Sequence, residues 1–156
     1  MGIAPKLILE PGRSIVADTT IMLTSVNVIK RAHMNFVAVD AGFNALARPM
    51  LYDSYHHVIV ANKAGLQAEE NYTVVGPICE TGDILAKDRR LPLLERQDVI
   101  AFLDTGAYGF SMASQYNGQP RPAEVLVCGS SVEVTRRAED ASALLAGQRI
   151  PNRLMR

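Results

Sequence analysis

The chain has 156 residues, 48% hydrophobic and 21% charged, which is enough apolar material to build the core of one ordinary domain. Sixteen basic and sixteen acidic side chains cancel, so no global field draws it to nucleic acid or to an anionic membrane, although single arginines can still bind local anions. Two cysteines, Cys79 and Cys128, are too few for a disulfide framework, and no apolar run nears the roughly 18 residues of a spanning helix, so a cytoplasmic, soluble chain is expected.

Lys6-Leu7-Ile8-Leu9-Glu10 is an uninterrupted apolar run of the kind buried on both faces of a parallel sheet. Pro11-Gly12 breaks it. Ser14 is placed to cap a helix that carries Ile15, Val16, Met22 and Leu23 on one face, seven residues apart in pairs. A strand, a glycine turn and a helix start offer free N–H groups to an anion, and Arg13 adds a permanent charge.

The pattern then turns to β. Val26 and Val28 alternate around Asn27, and short runs follow at 36–39, 58–60, 72–75, 99–103, 123–127 and 131–135, punctuated by Gly, Pro, Asn and Asp. Such spacing predicts an antiparallel barrel or sandwich. A short helix is expected near Ala138 to Leu145, with Glu139 and Asp140 in its first turn and Gly147 as terminator, ahead of a frayed tail at 151–156. A doubly buried strand needs neighbours, yet only one βα unit precedes the β region. Residues 1–22 therefore read as the end of something larger, and residues 23–150 as the β-domain.

Three stretches could carry chemistry. Arg48-Pro49-Met50-Leu51-Tyr52 follows the Asp40-Ala41-Gly42 turn, and Arg48 could clamp a carboxylate while Tyr52 adds a hydroxyl. Gly76-Pro77-Ile78-Cys79-Glu80-Thr81-Gly82-Asp83 displays a thiol beside a carboxylate on a shaped loop. Gly106-Ala107-Tyr108-Gly109 puts an aromatic hydroxyl between two glycines that let the backbone approach a ligand. Adjacent His56 and His57 face opposite ways in a strand and cannot share a metal, and no residue is assigned as a metal ligand. The dinucleotide, P-loop, zincin and nucleophile-elbow signatures are all missing. None of the lysines (Lys6, Lys30, Lys63, Lys87) sits where a desolvated Schiff-base lysine is expected.

These blocks, in this order, with Ser111-Met112-Ala113-Ser114 leading to Arg121-Pro122-Ala123-Glu124-Val125, resemble the C-terminal part of the diaminopimelate decarboxylases, from Leu7 to about Leu145. These are pyridoxal 5'-phosphate enzymes of the alanine racemase-like fold type. The resemblance implies a β-domain behind a (β/α)₈ barrel, of which only the last strand and helix remain here. It implies removal of CO₂ from meso-diaminopimelate to give L-lysine. Gly12, Arg13 and Tyr108 would stand at the cofactor, and Arg13, Arg48 and Tyr52 at the distal end of the substrate. Glu80 would meet the distal amino group, and Cys79 would be the proton donor in a homodimer with shared active sites. Without the barrel's lysine the chain alone is expected to be inactive. The alternatives are a non-enzymatic β-domain used for association, or the matching part of an ornithine, arginine or carrier-linked glutamate decarboxylase.

Overall fold

A computed structural model describes residues 4–155. A five-residue helix, α1 (Gly12–Val16), runs into a 3₁₀ turn at Ala17–Thr19. Strands β1 (Met22–Arg31) and β2 (Asn35–Val39) follow, then helix α2 (Arg48–Tyr52) and strands β3 (Val58–Val60), β4 (Glu70–Val75), β5 (Ile84–Leu91) and β6 (Val99–Phe102). A hairpin of β7 (Glu124–Cys128) and β8 (Ser131–Arg136) precedes helix α3 (Ala141–Leu144).

Six strands form one sheet in the order β3-β6-β1-β2-β4-β5. All neighbours are antiparallel except β2 and β4, which run parallel with Val37 opposite Val74. The end strands β3 and β5 approach each other, so the sheet curls into a nearly closed barrel, the mainly β class expected. Its inward residues make the core: Val26, Val37, Leu46, Val74, Ile100 and Phe102 are all fully buried. Tyr72 joins them because its hydroxyl is satisfied, donating to Glu70 Oε2 at 2.8 Å and accepting from Leu94 N–H.

The structure departs from the sequence expectations at several points. Residues 6–10 form no regular element, and Leu7, Ile8 and Leu9 are exposed, because among the described residues no strand pairs with them. Ser14 does not cap. It lies inside α1 and donates its hydroxyl to Pro11 O at 3.1 Å. Met22 and Leu23 belong to β1 and not to the helix, since α1 has ended by Val16. Within β1 the alternation slips: a bulge between Val26 and Val28 leaves Val28 exposed and turns Ile29 inward.

The charged run Lys87-Asp88-Arg89-Arg90 is part of strand β5, which no apolar period announced. It is an edge strand, where charge is tolerated, and Asp88 takes a positive φ of 48° in the irregular pairing with β4. The β7–β8 hairpin stands outside the main sheet, turning at Gly129 with φ 59° and leaving Val125, Leu126, Val127, Val132 and Val134 exposed. At its base, Arg121 is ion-paired with Glu139, and Arg121 and Arg136 both lie over the Phe110 ring. Helix α3 starts at Ala141, two residues past Glu139, so Glu139 and Asp140 precede its first turn where the sequence expected them in it; Asp140 is instead the cap, accepting from Ser142 and Ala143 N–H.

Candidate functional site

The site is assembled from three irregular segments held at one end of the barrel. The first joint is the docking of the loop after β6 onto the turn after α1. Thr105 N–H donates to Thr20 O at 3.0 Å, its hydroxyl to the same oxygen at 3.1 Å, and Gly106 N–H to Ala17 O at 2.9 Å. Gly106 is needed for this approach, because a Cβ there would stand 2.0 Å from Val16 O. The glycine lets the chain's own backbone approach.

The docked loop presents Tyr108 in the left-handed region, at φ 63°. That conformation is uncommon for an aromatic residue and is tolerated where the surroundings enforce it. Two guanidinium groups lie by its ring, Arg13 at 5.7 Å and Arg48 at 5.5 Å from the centroid. Neither arginine is ion-paired to a carboxylate among the described residues, and Arg48 donates only to Ser54 Oγ, at 3.1 Å. Two cations near one ring without a counter-ion could receive an anion. An open depression beside them is lined by Glu10, Pro11, Gly12, Arg13, Ser14, Ala17 and Tyr108. At Gly12 a Cβ would meet nothing within 4 Å, so the backbone there is free to be approached.

Residues Arg48 and Tyr52 bracket α2, one turn apart, so both belong to one helix face. Proline at the second helical position and Asp53 in the left-handed conformation at its end define that single turn. The loop between β4 and β5 holds Cys79 and Glu80, both exposed, as the sequence expected. Glu80 turns a carboxylate oxygen back to Gly82 N–H at 3.3 Å, and no hydrogen bond or ion pair joins either residue to Arg13, Arg48, Tyr52 or Tyr108. Arg13, Arg48, Tyr108 and Gly12 are therefore brought together, Tyr52 lies one turn from Arg48, and Cys79 and Glu80 sit on a separate loop that makes no hydrogen bond or ion pair to them.

One residue in this loop was quoted without a role in the sequence reading. Asp83 is 3% exposed and accepts two backbone N–H groups, from Phe43 and from Ile78, each at 2.7 Å. Burial pushes its carboxyl above the ordinary aspartate value, and the two N–H donors oppose that shift. The available signal was a carboxylate closing a glycine-flanked loop that is rich in backbone donors.

The residues present suit a phosphate or carboxylate better than a covalent cofactor attachment. Lys63 donates to Asp98 and to Leu93 O, both at 2.8 Å, and the Asp98 bond raises its affinity for its proton above that of an ordinary lysine. Lys87 pairs with Asp53 at 2.8 Å. No lysine lines the depression at Tyr108. His56 is buried and donates its Nδ1–H to Leu103 O at 2.9 Å, the only role open to it against a carbonyl, while His57 is exposed. No cluster of three or more metal-ligating side chains occurs among the described residues, and no helix of them is long and apolar enough to cross a membrane.

Comparison with known proteins bears on this geometry directly. The family model described as pyridoxal-dependent decarboxylase, C-terminal sheet domain, matches residues 15–106. A diaminopimelate decarboxylase of Archaeoglobus fulgidus is 59% identical over 151 residues, covering 97% of this chain and 36% of the relative. One from Methanothermobacter thermautotrophicus is 51% identical over 152 residues, again with 97% and 36% covered. The crystal structure of the M. jannaschii diaminopimelate decarboxylase in complex with L-lysine superposes with a TM-score of 0.86 at 39% identity, over 97% of this chain and 35% of that one. The chain thus spans about 36% of the length of the curated relatives it matches.

Proposed function

Because the chain belongs to the pyridoxal-dependent decarboxylases through their C-terminal sheet domain, we propose that it is the substrate-binding portion of a diaminopimelate decarboxylase, acting on meso-diaminopimelate in the cytoplasm. The observation that carries this reading is the pair of carboxylate-free guanidinium groups, Arg13 and Arg48, at 5.7 Å and 5.5 Å from the Tyr108 ring centroid. Two fixed cations suit a ligand that brings a cofactor phosphate together with a second carboxylate, the group that distinguishes diaminopimelate from ornithine or lysine.

Each part then has a task. Gly12 and Arg13, at an open backbone, would hold the phosphate of pyridoxal phosphate, and Tyr108 would cover it with a ring already held against both cations. Arg48, with Tyr52 on the same turn of α2, would bind the distal carboxylate in a two-pronged hydrogen bond. Glu80 would face the distal ammonium, and Cys79 would hold the proton that replaces CO₂ at the reacting carbon. The cofactor, when bound, supplies the electron sink for the carbanion left by decarboxylation. Since Cys79 and Glu80 are exposed and make no hydrogen bond or ion pair to the arginines, the reading gives them to the site of a second subunit in a homodimer. The lysine that carries the cofactor would come from a barrel domain to which residues 1–22 belong, and the chain alone would be inactive.

A chimera tests this. The C-terminal 36% of the A. fulgidus enzyme is replaced by this chain, and L-lysine release is followed from meso-diaminopimelate, with ornithine as competitor. Turnover of diaminopimelate in preference to ornithine, with none by the 156-residue chain alone, is expected. Preference for ornithine, or lysine production by the chain alone, would overturn the reading.

A further inference from the structure

The Cys79-Glu80 loop hangs from one buried carboxylate. Oδ1 of Asp83 accepts from Phe43 N–H, in the turn that leads to α2, and Oδ2 accepts from Ile78 N–H, inside the loop itself. The Asp83 backbone closes the same loop, its carbonyl accepting from Gly76 N–H at 3.0 Å and its N–H donating to Glu80 O at 3.0 Å. Two glycines make room for this crossing. A Cβ on Gly76 would stand 2.3 Å from Asp83 Oδ2 and 2.5 Å from the Gly42 Cα, and one on Gly42 would stand 2.9 Å from Ile78 Cδ1. On the far side Gly82 abuts α2, where a Cβ would meet Met50 Cγ at 2.9 Å.

Among the described residues no cation is paired with this carboxylate, and no charged side chain hydrogen-bonds to it. The titratable groups nearest in the loop, Cys79 and Glu80, are exposed. A buried, unpaired carboxylate is a poor way to stabilise a fold, because a well-packed apolar residue of similar size does at least as well. What an apolar residue cannot do is accept two backbone N–H groups from separate segments and fix the distance between them.

We propose that Asp83 is the positioning residue of the Cys79-Glu80 loop: its two oxygens tie the loop to the turn that leads to α2, and so fix the place on the barrel from which the thiol and the Glu80 carboxylate are presented. The inference rests on the assignment of that pair to the substrate site, and it accounts for two exposed residues holding a defined place. Asparagine at 83 has nearly the same shape but only one acceptor, and it sets an NH₂ against one of the two N–H donors.

The test uses the full chain carrying Cys128→Ser, so that Cys79 is its one thiol. In the parent, the Phe43 and Ile78 amide proton resonances should move with one shared pH midpoint above the ordinary aspartate range. Asp83→Asn should abolish that shared titration and speed amide exchange at both positions by about tenfold, the loss of roughly one hydrogen bond to a charged group. It should also raise the rate of Cys79 reaction with a disulfide reagent by about threefold or more, with Val37 and Val74 exchange unchanged. Two independent midpoints in the parent overturn the proposal without any variant. So does unaltered Cys79 reactivity in Asp83→Asn, or an equal loss of protection throughout the core, which would leave Asp83 a purely structural residue. In the chimera, a loosened loop with an undiminished rate would remove Cys79 and Glu80 from the site while leaving the hold of Asp83 on the loop intact.

Discussion

Replacing Gly106 with alanine should separate assembly of the site from folding of the barrel. The new Cβ would lie 2.0 Å from Val16 O and 2.7 Å from Thr19 Oγ1, and backbone stands on both sides, so the 105–106 loop and the 16–20 turn must part. Three hydrogen bonds join these segments: Thr105 N–H and hydroxyl to Thr20 O, and Gly106 N–H to Ala17 O. At about 1 kcal/mol each, the docking is worth about 3 kcal/mol, or about two orders of magnitude in the docked population. The α1 segment buries no residue, so little of the core depends on it. Amide exchange is the assay. Thr105 and Gly106 should lose about 100-fold in protection, while Val26, Val37 and Ile100 stay within a factor of two. In the chimera the same variant should bind pyridoxal phosphate more weakly, since Arg13 is no longer held against Tyr108. Unchanged protection at Gly106, or an equal loss at Ile100, would refute the reasoning.

Phe102 is fully buried on β6, which pairs with both β1 and β3, so Phe102→Ala should cost about 3–5 kcal/mol in urea unfolding, and a loss under about 1 kcal/mol would contradict the core described. In the chimera, Arg48→Ala should raise the KM for meso-diaminopimelate by about tenfold or more, the worth of a charge-assisted bond, and leave ornithine turnover less affected. Glu139 has its carboxyl held down to about 2 by Arg121, with help from Gln115 and the Arg121 N–H. A depressed carboxylate contributes stability that is present above its unfolded value near 4.5 and lost as pH falls toward about 2. Protection of the Arg121 amide should therefore fall across that window in the parent and be low at every pH in Glu139→Gln.

Much of the architecture could be seen in the chain itself, since Phe36 to Val39, Val58 to Val60 and Tyr72 to Val75 all form strands where β-branched residues cluster between turn residues. The misreadings have physical causes. Residues 6–10 have the composition of a buried strand, but hydropathy records what a segment can tolerate and not whether a partner is there to cover it. Strand β5 was hidden because Lys87, Asp88, Arg89 and Arg90 follow the logic of an edge, where charge discourages pairing with other chains. Val28 was misjudged because a bulge shifts the alternation and has no signature in composition. Within the site, Arg13, Arg48 and Tyr108 were legible as residue types at glycine turns, and their meeting around one ring was not. That meeting depends on Gly106 and Thr105 docking onto the 17–20 turn, a contact between segments 85 residues apart. Asp83 escaped because a buried acceptor of backbone N–H groups looks, in sequence, like any surface aspartate.

The strand order has a consequence for the growing chain. Strand β3 is bonded to no strand but β6, and β6 is also the sheet partner of β1, so the last strand of the barrel to be made completes two pairings at once. Until residue 102 has left the ribosome, β3 has no hydrogen-bonded strand beside it, and Val58 and Val60 have no Ile100 or Phe102 opposite them. The pairings available earlier, β1 with β2, β2 with β4 and β4 with β5, can form a partial sheet whose apolar face is still open. The interval before β6 emerges is thus the one in which a chaperone would find most to hold. A pause site placed before β6 should lower the soluble yield more than one placed after it.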